Sequence, residues 1–358
     1  MSASSSVTAR SQPGTPPMRA FVLWEPGHIS LCDVPRPVPG PDELVLRVRA
    51  ALTCGTDVKT FLRGHPKFPM PTPFGHEFAG EVAAVGAGVR GFREGDAVMA
   101  VPTAPCGICY YCVRNQENLC ATVMDAYVLG AFAEYVKLPA HLVGVNVYPK
   151  PAALPYPVAA LLEPLACVVH GLETVPLRPD DIVVLLGAGA ISLLHLLTLR
   201  ALGVGQVIVV GRRPGRAEHA RHLGAATVLV GDLDVAHERI REATGGRGAD
   251  VVIECTGQID VWEAAPGFAR RGGTVVLFGG CPPGSHVSLD TQHLHYDQLR
   301  VVSPFHFTPR AVRKAYELLT GGGFEGHALI SGVYPLAQLP QALDAHQRGE
   351  GIKFAVLP

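Results

Sequence analysis

A thiolate, an imidazole and a carboxylate are side chains from which catalytic zinc sites are built, and this sequence sets all three close together. Cys54 stands in Thr53-Cys54-Gly55-Thr56-Asp57, and His76 and Glu77 in Pro73-Phe74-Gly75-His76-Glu77-Phe78. A further carboxylate, Glu163 in Leu162-Glu163-Pro164-Leu165, could complete the set. Taken alone, His-Glu is a weak signal, because a partly buried histidine beside a surface glutamate reads the same way. The rest of the chain carries the decision.

A second group of ligand types lies in one short stretch. Cys106, Cys109, Cys112 and Cys120 are separated by two, two and seven residues. Four thiolates at that spacing can close a tetrahedral structural zinc site within a single loop. Disulfides fit poorly, since no secretion signal precedes them. A redox pair needs only two cysteines, beside a βαβ unit that this stretch lacks. An iron–sulfur cluster is open on ligand type alone. Cys32, Cys167, Cys255 and Cys281 have no such spacing and read as small buried side chains.

The elements that must hold these residues change character along the chain. From Met18 the pattern is short and β-like: Ala20–Leu23, Leu44–Val48, Glu81–Gly86, Asp96–Val101 and Phe132–Leu138, punctuated by Pro and Gly. The Val/Gly-rich stretch 80–95 reads as strand, turn, strand. Together these predict a barrel-like, mostly antiparallel domain. Residues 157–174, carrying Glu163 and His170, read as one helix that links this domain to the next.

Further on, Ile182–Leu186 is a buried strand followed by Gly187-Ala188-Gly189-Ala190-Ile191-Ser192 and an apolar helix to about Leu202. Strand, glycine turn and helix are the context a dinucleotide fingerprint requires. The glycines let backbone approach a pyrophosphate, and the helix N-terminus presents free N–H groups. Ser192 replaces the third glycine, whose task is close packing, and is small enough to serve. Strands at Gln206–Val210, Thr227–Val230, Asp250–Glu254 and Thr274–Phe278 alternate with helices at 215–223 and 235–243, which predicts a doubly wound parallel sheet. Cys255-Thr256-Gly257 and Phe278-Gly279-Gly280 fall at carboxyl ends of strands, where ligands of such sheets bind. The second strand ends in Gly211-Arg212-Arg213 instead of the acid that holds an NAD ribose. Two guanidiniums can pair with a 2′-phosphate, so NADP is expected over NAD.

Composition narrows the class. The chain has 358 residues, 48% apolar and 17% charged, with net charge −1. Its length favours two domains, and its charge argues against nucleic acid or an anionic membrane as partner. Residues 1–17 lack core material and read as a disordered tail with neither secretory nor transit character. The near-uncharged run 182–199 is interrupted by Gly187 and Gly189, so it reads as strand, turn and buried helix, not a membrane span. A cytoplasmic protein is expected.

In order, the ligand pair, Glu77, the four-cysteine lobe and the dinucleotide unit make the chain resemble the zinc-dependent medium-chain alcohol dehydrogenases, from about Met18 to Pro358. Gly75-His76-Glu77-Phe78 and Glu163-Pro164-Leu165 look most like the polyol (sorbitol-type) and threonine dehydrogenase branch. The resemblance implies a GroES-like catalytic domain over 18–172, a Rossmann domain over 173–304, and a return to the first domain over 305–358. It implies two zinc ions: a catalytic one on Cys54 and His76, completed by Glu77, Glu163 or water, and a structural one on the four cysteines. Thr56 matches the hydroxyl that takes the substrate proton, and Asp57 an acid that orients His76. The implied reaction is hydride transfer between a secondary alcohol, polyol or amino alcohol and NAD(P), by a homodimer or homotetramer. Lys59 stands where threonine dehydrogenases carry a histidine. Phe61, His65, Phe305 and Phe307 could line a substrate pocket or simply pack. Two other readings compete: a zinc-independent NADPH quinone or enone reductase, and a non-catalytic nucleotide-binding regulator.

Overall fold

The computed structural model describes residues 16–358. The expected tail lies outside them apart from Pro16 and Pro17, and Pro17 already opens a strand, Pro17–Glu25, paired with His28–Pro35. The described residues form two compact units, one of 16–166, 308–322 and 329–358, the other of 167–307 and 323–328.

In the first unit a seven-stranded sheet runs in the order Ile330–Pro335, Lys353–Leu357, Leu44–Leu52, Phe78–Val85, Ala97–Ala100, Val147–Pro149, with Tyr135–Leu138 alongside Leu44–Leu52. All its pairings are antiparallel except that of Ile330–Pro335 with Lys353–Leu357. Leu44–Leu52 is the hub. Its first half pairs with Tyr135–Leu138 and its end with Lys353–Leu357, while Phe78–Val85 runs along its length. Its apolar side chains join Phe78, Phe132, Leu138 and Phe354 in one buried core.

Two sequence expectations need correction here. No second strand follows the turn after Val85; residues 86–96 are loop, held by hydrogen bonds such as Gly86 N–H to Glu43 O and Gly95 N–H to Val82 O, and the next strand is Ala97–Ala100. The single helix over 157–174 is two, Tyr156–Ala159 and Leu162–Glu173. Pro164 explains the break, because a helix continuous through Ala160 would drive the proline ring against the Ala160 carbonyl, whereas in a first turn proline is tolerated.

The second unit carries a six-stranded, wholly parallel sheet, ordered Thr227–Val230, Gln206–Gly211, Ile182–Leu186, Ala249–Glu254, Ala269–Leu277, Arg300–Val302. The order reverses direction between Ile182–Leu186 and Ala249–Glu254, the crevice where doubly wound sheets bind ligands. Arg300–Val302 and the short helices Ile259–Ala264 and Thr291–Tyr296 carried no clear sequence signal. The uncharged run resolves into the strand Ile182–Leu186 and the helix Ala190–Ala201. Among the described residues no helix is long and apolar enough to cross a membrane.

Candidate active site

Strand register brings the candidate ligands of the first unit together. Ala51 lies opposite Phe78 and Leu52 opposite Ala355, so the residues just after Leu52, just before Phe78 and at the start of Lys353–Leu357 meet at one end of the sheet. Leu52 N–H donates to Glu77 O, and Thr53 N–H to Phe354 O, both at 3.0 Å. The ligand atoms of Cys54, His76 and Glu77 all lie within 4.8 Å of one another.

Cys54 is also the N-cap of a helix, Gly55–Arg63, that sequence reading missed. Its sulfur accepts from Thr56 N–H at 3.4 Å, and Asp57 returns its Oδ2 to Cys54 N–H at 2.9 Å. The pattern is a capping box with cysteine and aspartate in place of the customary Ser/Thr and Glu/Gln. The other Asp57 oxygen accepts from His76 Nδ1 at 3.1 Å, which leaves Nε2 as the ring nitrogen that could meet a metal. Thr56 is exposed on the first helical turn and Lys59 one turn later.

The electrostatics call for a cation. Cys54, Asp57, Glu77 and Glu163 bring acidic groups to a buried place. Burial pushes the Glu163 carboxyl up to about 7 against the pull of His76, and Glu77 and Asp57 add to the push. Burial works against a charged His76, but Asp57 and Cys54 outweigh it and hold the imidazole well above its ordinary range. Lys353 is the resident cation: its Nζ donates to both Glu77 oxygens, at 2.7 and 2.6 Å, and to Thr53 O at 3.2 Å. Both partners are essentially inaccessible, at 1% and 0% exposure. Burial disfavours the ammonium, yet Glu77 and Cys54 raise its pKa above the usual lysine value. Nothing in the sequence marked Lys353, since a lysine opening a strand normally faces water. Thr53 is gripped likewise, its hydroxyl 2.8 Å from His346 Nδ1 and accepting from Phe354 N–H at 3.1 Å. The donor set of thiol, imidazole and carboxylate fits zinc. Glu163 is buried close enough to feel His76 and Glu77 but is not one of the trio within 4.8 Å.

Beside His76, a small cavity is lined by Thr56, Asp57, Thr60, Phe68 and Leu129. Tyr127 stands edge-on to His76, Phe68 packs on Tyr127, and His65 stacks on Phe68 at 4.1 Å. Phe61 packs against the core. In the second unit Phe307 is buried and Phe305 is 51% exposed.

The four cysteines also converge, their sulfurs within 4.8 Å of one another. Cys109 Sγ lies 3.5 Å from Cys112 Sγ, and Cys106 N–H donates to Cys120 Sγ at 3.3 Å. Backbone amides of Ala121 and Cys112 pull the Cys109 thiol down to about 6, favouring the thiolate a metal requires. None of the nine cysteines is in a disulfide.

In the second unit the glycine turn follows Ile182–Leu186 as the fingerprint demands. Gly187 adopts φ +114°, a conformation side chains disfavour. Ser192 takes up the third glycine's place inside the protein, its hydroxyl donating to Gly187 O at 2.6 Å. The turn opens the helix Ala190–Ala201, so Ala190 and Ile191 present its first amides. Gly211 ends the neighbouring strand against Ala188, and Arg212 donates to Gln258 Oε1. Arg216, overlooked in the sequence, is half-buried beside Gly189; burial and the neighbouring Arg213 lower its pKa. Cys255-Thr256 and Phe278-Gly279 lie at the carboxyl ends of adjacent parallel strands.

Comparison with known proteins agrees with this architecture. Residues 40–151 match the alcohol dehydrogenase GroES-like domain and residues 190–321 the zinc-binding dehydrogenase domain. D-altritol 5-dehydrogenase of Agrobacterium fabrum is 33% identical over 90% of this chain and 94% of its own. Sorbitol dehydrogenase of Bacillus subtilis is 30% identical over 95% and 97%. Among solved structures, a Sinorhizobium meliloti protein provisionally named a zinc-binding dehydrogenase, with NADP bound, superposes with TM-score 0.86 at 31% identity, covering 96% of this chain and 99% of its own. The chain belongs to the zinc-dependent medium-chain alcohol dehydrogenases and is an oxidoreductase of that family's two-domain α/β form.

Proposed function

We propose that the protein oxidises a secondary hydroxyl of a polyol, or reduces the matching ketone, with NADP as hydride carrier and two zinc ions per chain. The observation that carries this reading is the buried trio Cys54, His76 and Glu77 in a chain that also carries a dinucleotide turn. Cys54 and His76 would hold the catalytic zinc, completed by Glu77 or Glu163; Cys106, Cys109, Cys112 and Cys120 would hold the structural one. Zinc supplies Lewis acidity that lowers the pKa of an alcohol.

The remaining work falls to side chains. Asp57 fixes the His76 tautomer and aims Nε2 inward. Thr56 accepts the hydroxyl proton and passes it outward from its exposed position. With NADP bound, the nicotinamide would accept a hydride from the carbinol carbon, so that alcohol and NADP⁺ would give carbonyl, NADPH and one proton. Arg212 and Arg213 favour the 2′-phosphate, with Arg216 adding positive charge beside the turn. Support for a polyol comes from the names of the A. fabrum and B. subtilis relatives. The zinc-independent reductase reading gains nothing from a chain with both ligand clusters. A cytoplasmic location suits nine cysteines without a disulfide. A dimer or tetramer is included in the reading because Arg300–Val302 leaves the parallel sheet with an edge whose Val301 is exposed.

The test is absorbance at 340 nm with zinc-loaded protein, NADP⁺ or NAD⁺, and a panel of polyols, sugars and amino alcohols. NADPH formation on a polyol, abolished by a chelator, is expected. Signal with NAD⁺ alone would overturn the arginine assignment, and silence with every alcohol and ketone would overturn the enzymatic one. Light scattering on a sizing column should give two or four chains; one chain refutes the oligomer.

A further inference from the structure

Glu254 is a buried carboxylate that neither zinc cluster uses. It ends the strand Ala249–Glu254, at the place where the sheet order reverses, and is fully inaccessible. An acid there must answer the cost of losing water, and its partners are all local. One oxygen, Oε1, accepts from Thr256 N–H, from the Thr256 hydroxyl and, at 3.0 Å, from Gly257 N–H; Oε2 lies 3.2 Å from the same amide. Its main-chain carbonyl accepts from Phe278 N–H and Gly279 N–H, each at 3.0 Å. A single residue thus grips two loops at the carboxyl ends of neighbouring strands, by its side chain on one and its backbone on the other.

The loops meet with no space to spare. A Cβ on Gly257 would stand 2.4 Å from Gly280 O, and one on Gly279 would stand 2.3 Å from Gly257 N and 2.8 Å from Glu254 Oε2. Trp262 Nε1 donates to Gly279 O at 2.7 Å and closes the far side. The first loop also reaches the glycine turn: Cys255 N–H donates to Leu186 O, and the Thr256 methyl lies 3.0 Å from where a Gly187 Cβ would be. The turn that faces a pyrophosphate, the 255–258 loop and the 278–280 loop are therefore referred to one anchor.

We infer that Glu254 is a positioning residue for the dinucleotide: it sets the 255–258 and 278–280 loops at the spacing that admits the cofactor, without touching it. The inference rests on the dehydrogenase reading, which places a dinucleotide in this crevice.

Titration of NADPH and NADH fluorescence with zinc-loaded wild-type, Glu254→Ala, Glu254→Asp and Glu254→Gln proteins tests it, together with steady-state kinetics and metal content. Glu254→Ala should weaken dinucleotide binding at least tenfold and raise its KM in step. The alcohol KM and the zinc content should stay within twofold. Glu254→Asp keeps the charge but retracts it, and should weaken binding about threefold to tenfold; Glu254→Gln keeps an acceptor and should recover most of the loss. If Glu254→Ala does not fold, the Asp and Gln variants carry the test. A folded Ala or Asp variant that binds dinucleotide within twofold of wild type overturns the inference. So does a loss shared equally by the alcohol KM and zinc content, which would make Glu254 a general structural residue. A wild-type protein that binds neither dinucleotide refutes the dehydrogenase reading instead.

Discussion

The two candidate metal clusters are built on opposite plans. Cys106, Cys109, Cys112 and Cys120 belong to one loop, partly open to solvent, with Cys106 exposed and Ile108 85% exposed beside it. Cys54 comes from one segment and the neighbours His76 and Glu77 from another; they are largely buried and share their pocket with Lys353 from a strand far along the chain. Four thiolates would leave no room at a tetrahedral ion, whereas a mixed set with a lysine on its carboxylate would leave a position open. One plan suits holding a loop in shape and the other suits chemistry.

The sharpest way to break that contrast is Cys54→Ala. It should lower kcat/KM about ten-thousandfold, roughly 5.4 kcal/mol of barrier, and remove one metal per chain by atomic emission while the circular dichroism is kept. Activity within tenfold of wild type would end the catalytic assignment. Lys353→Met comes next, because removing one member of a buried pair strands the other charge and costs about 3–5 kcal/mol. Urea unfolding should show this loss most fully in metal-stripped protein and less in zinc-loaded protein, where a dication answers Glu77. Equal losses in both would separate Lys353 from the metal. The smallest effect on chemistry belongs to Cys112→Ser, which should release one metal and lower the melting temperature while kcat per folded chain stays within threefold. A hundredfold fall in kcat would erase the division of labour.

Legibility in the sequence follows the same contrast. The four cysteines and the Gly187–Ser192 turn are local, so spacing alone places their atoms, and strand–helix alternation is enough to suggest a parallel sheet. The helix Gly55–Arg63 escaped because its cap is a cysteine, a residue read for its sulfur and not for its place before a helix. Pro164 was visible, yet the apolar period across 157–174 concealed the break it causes. Lys353, His346 and Glu254 were beyond reach. Lys353 and Glu254 are polar at strand positions whose burial depends on the neighbouring strands that register supplies, and His346, half-buried on the helix Leu339–Arg348, meets Thr53 only through the tertiary fold.

The Glu77–Lys353 pair also has a place in time. Its members are 276 residues apart, whereas Cys106 and Cys120 are 14 apart. Joining the distant ends requires about 2.6 kcal/mol more of loop-closure entropy, from the logarithmic dependence on length, and waits on the long-range strands that hold them. During refolding the cysteine loop can therefore take up metal while the chain is still largely open. The pocket of Cys54, His76 and Glu77 acquires its lysine only when the sheet closes, so under the proposed function enzymatic activity should lag behind the first metal uptake.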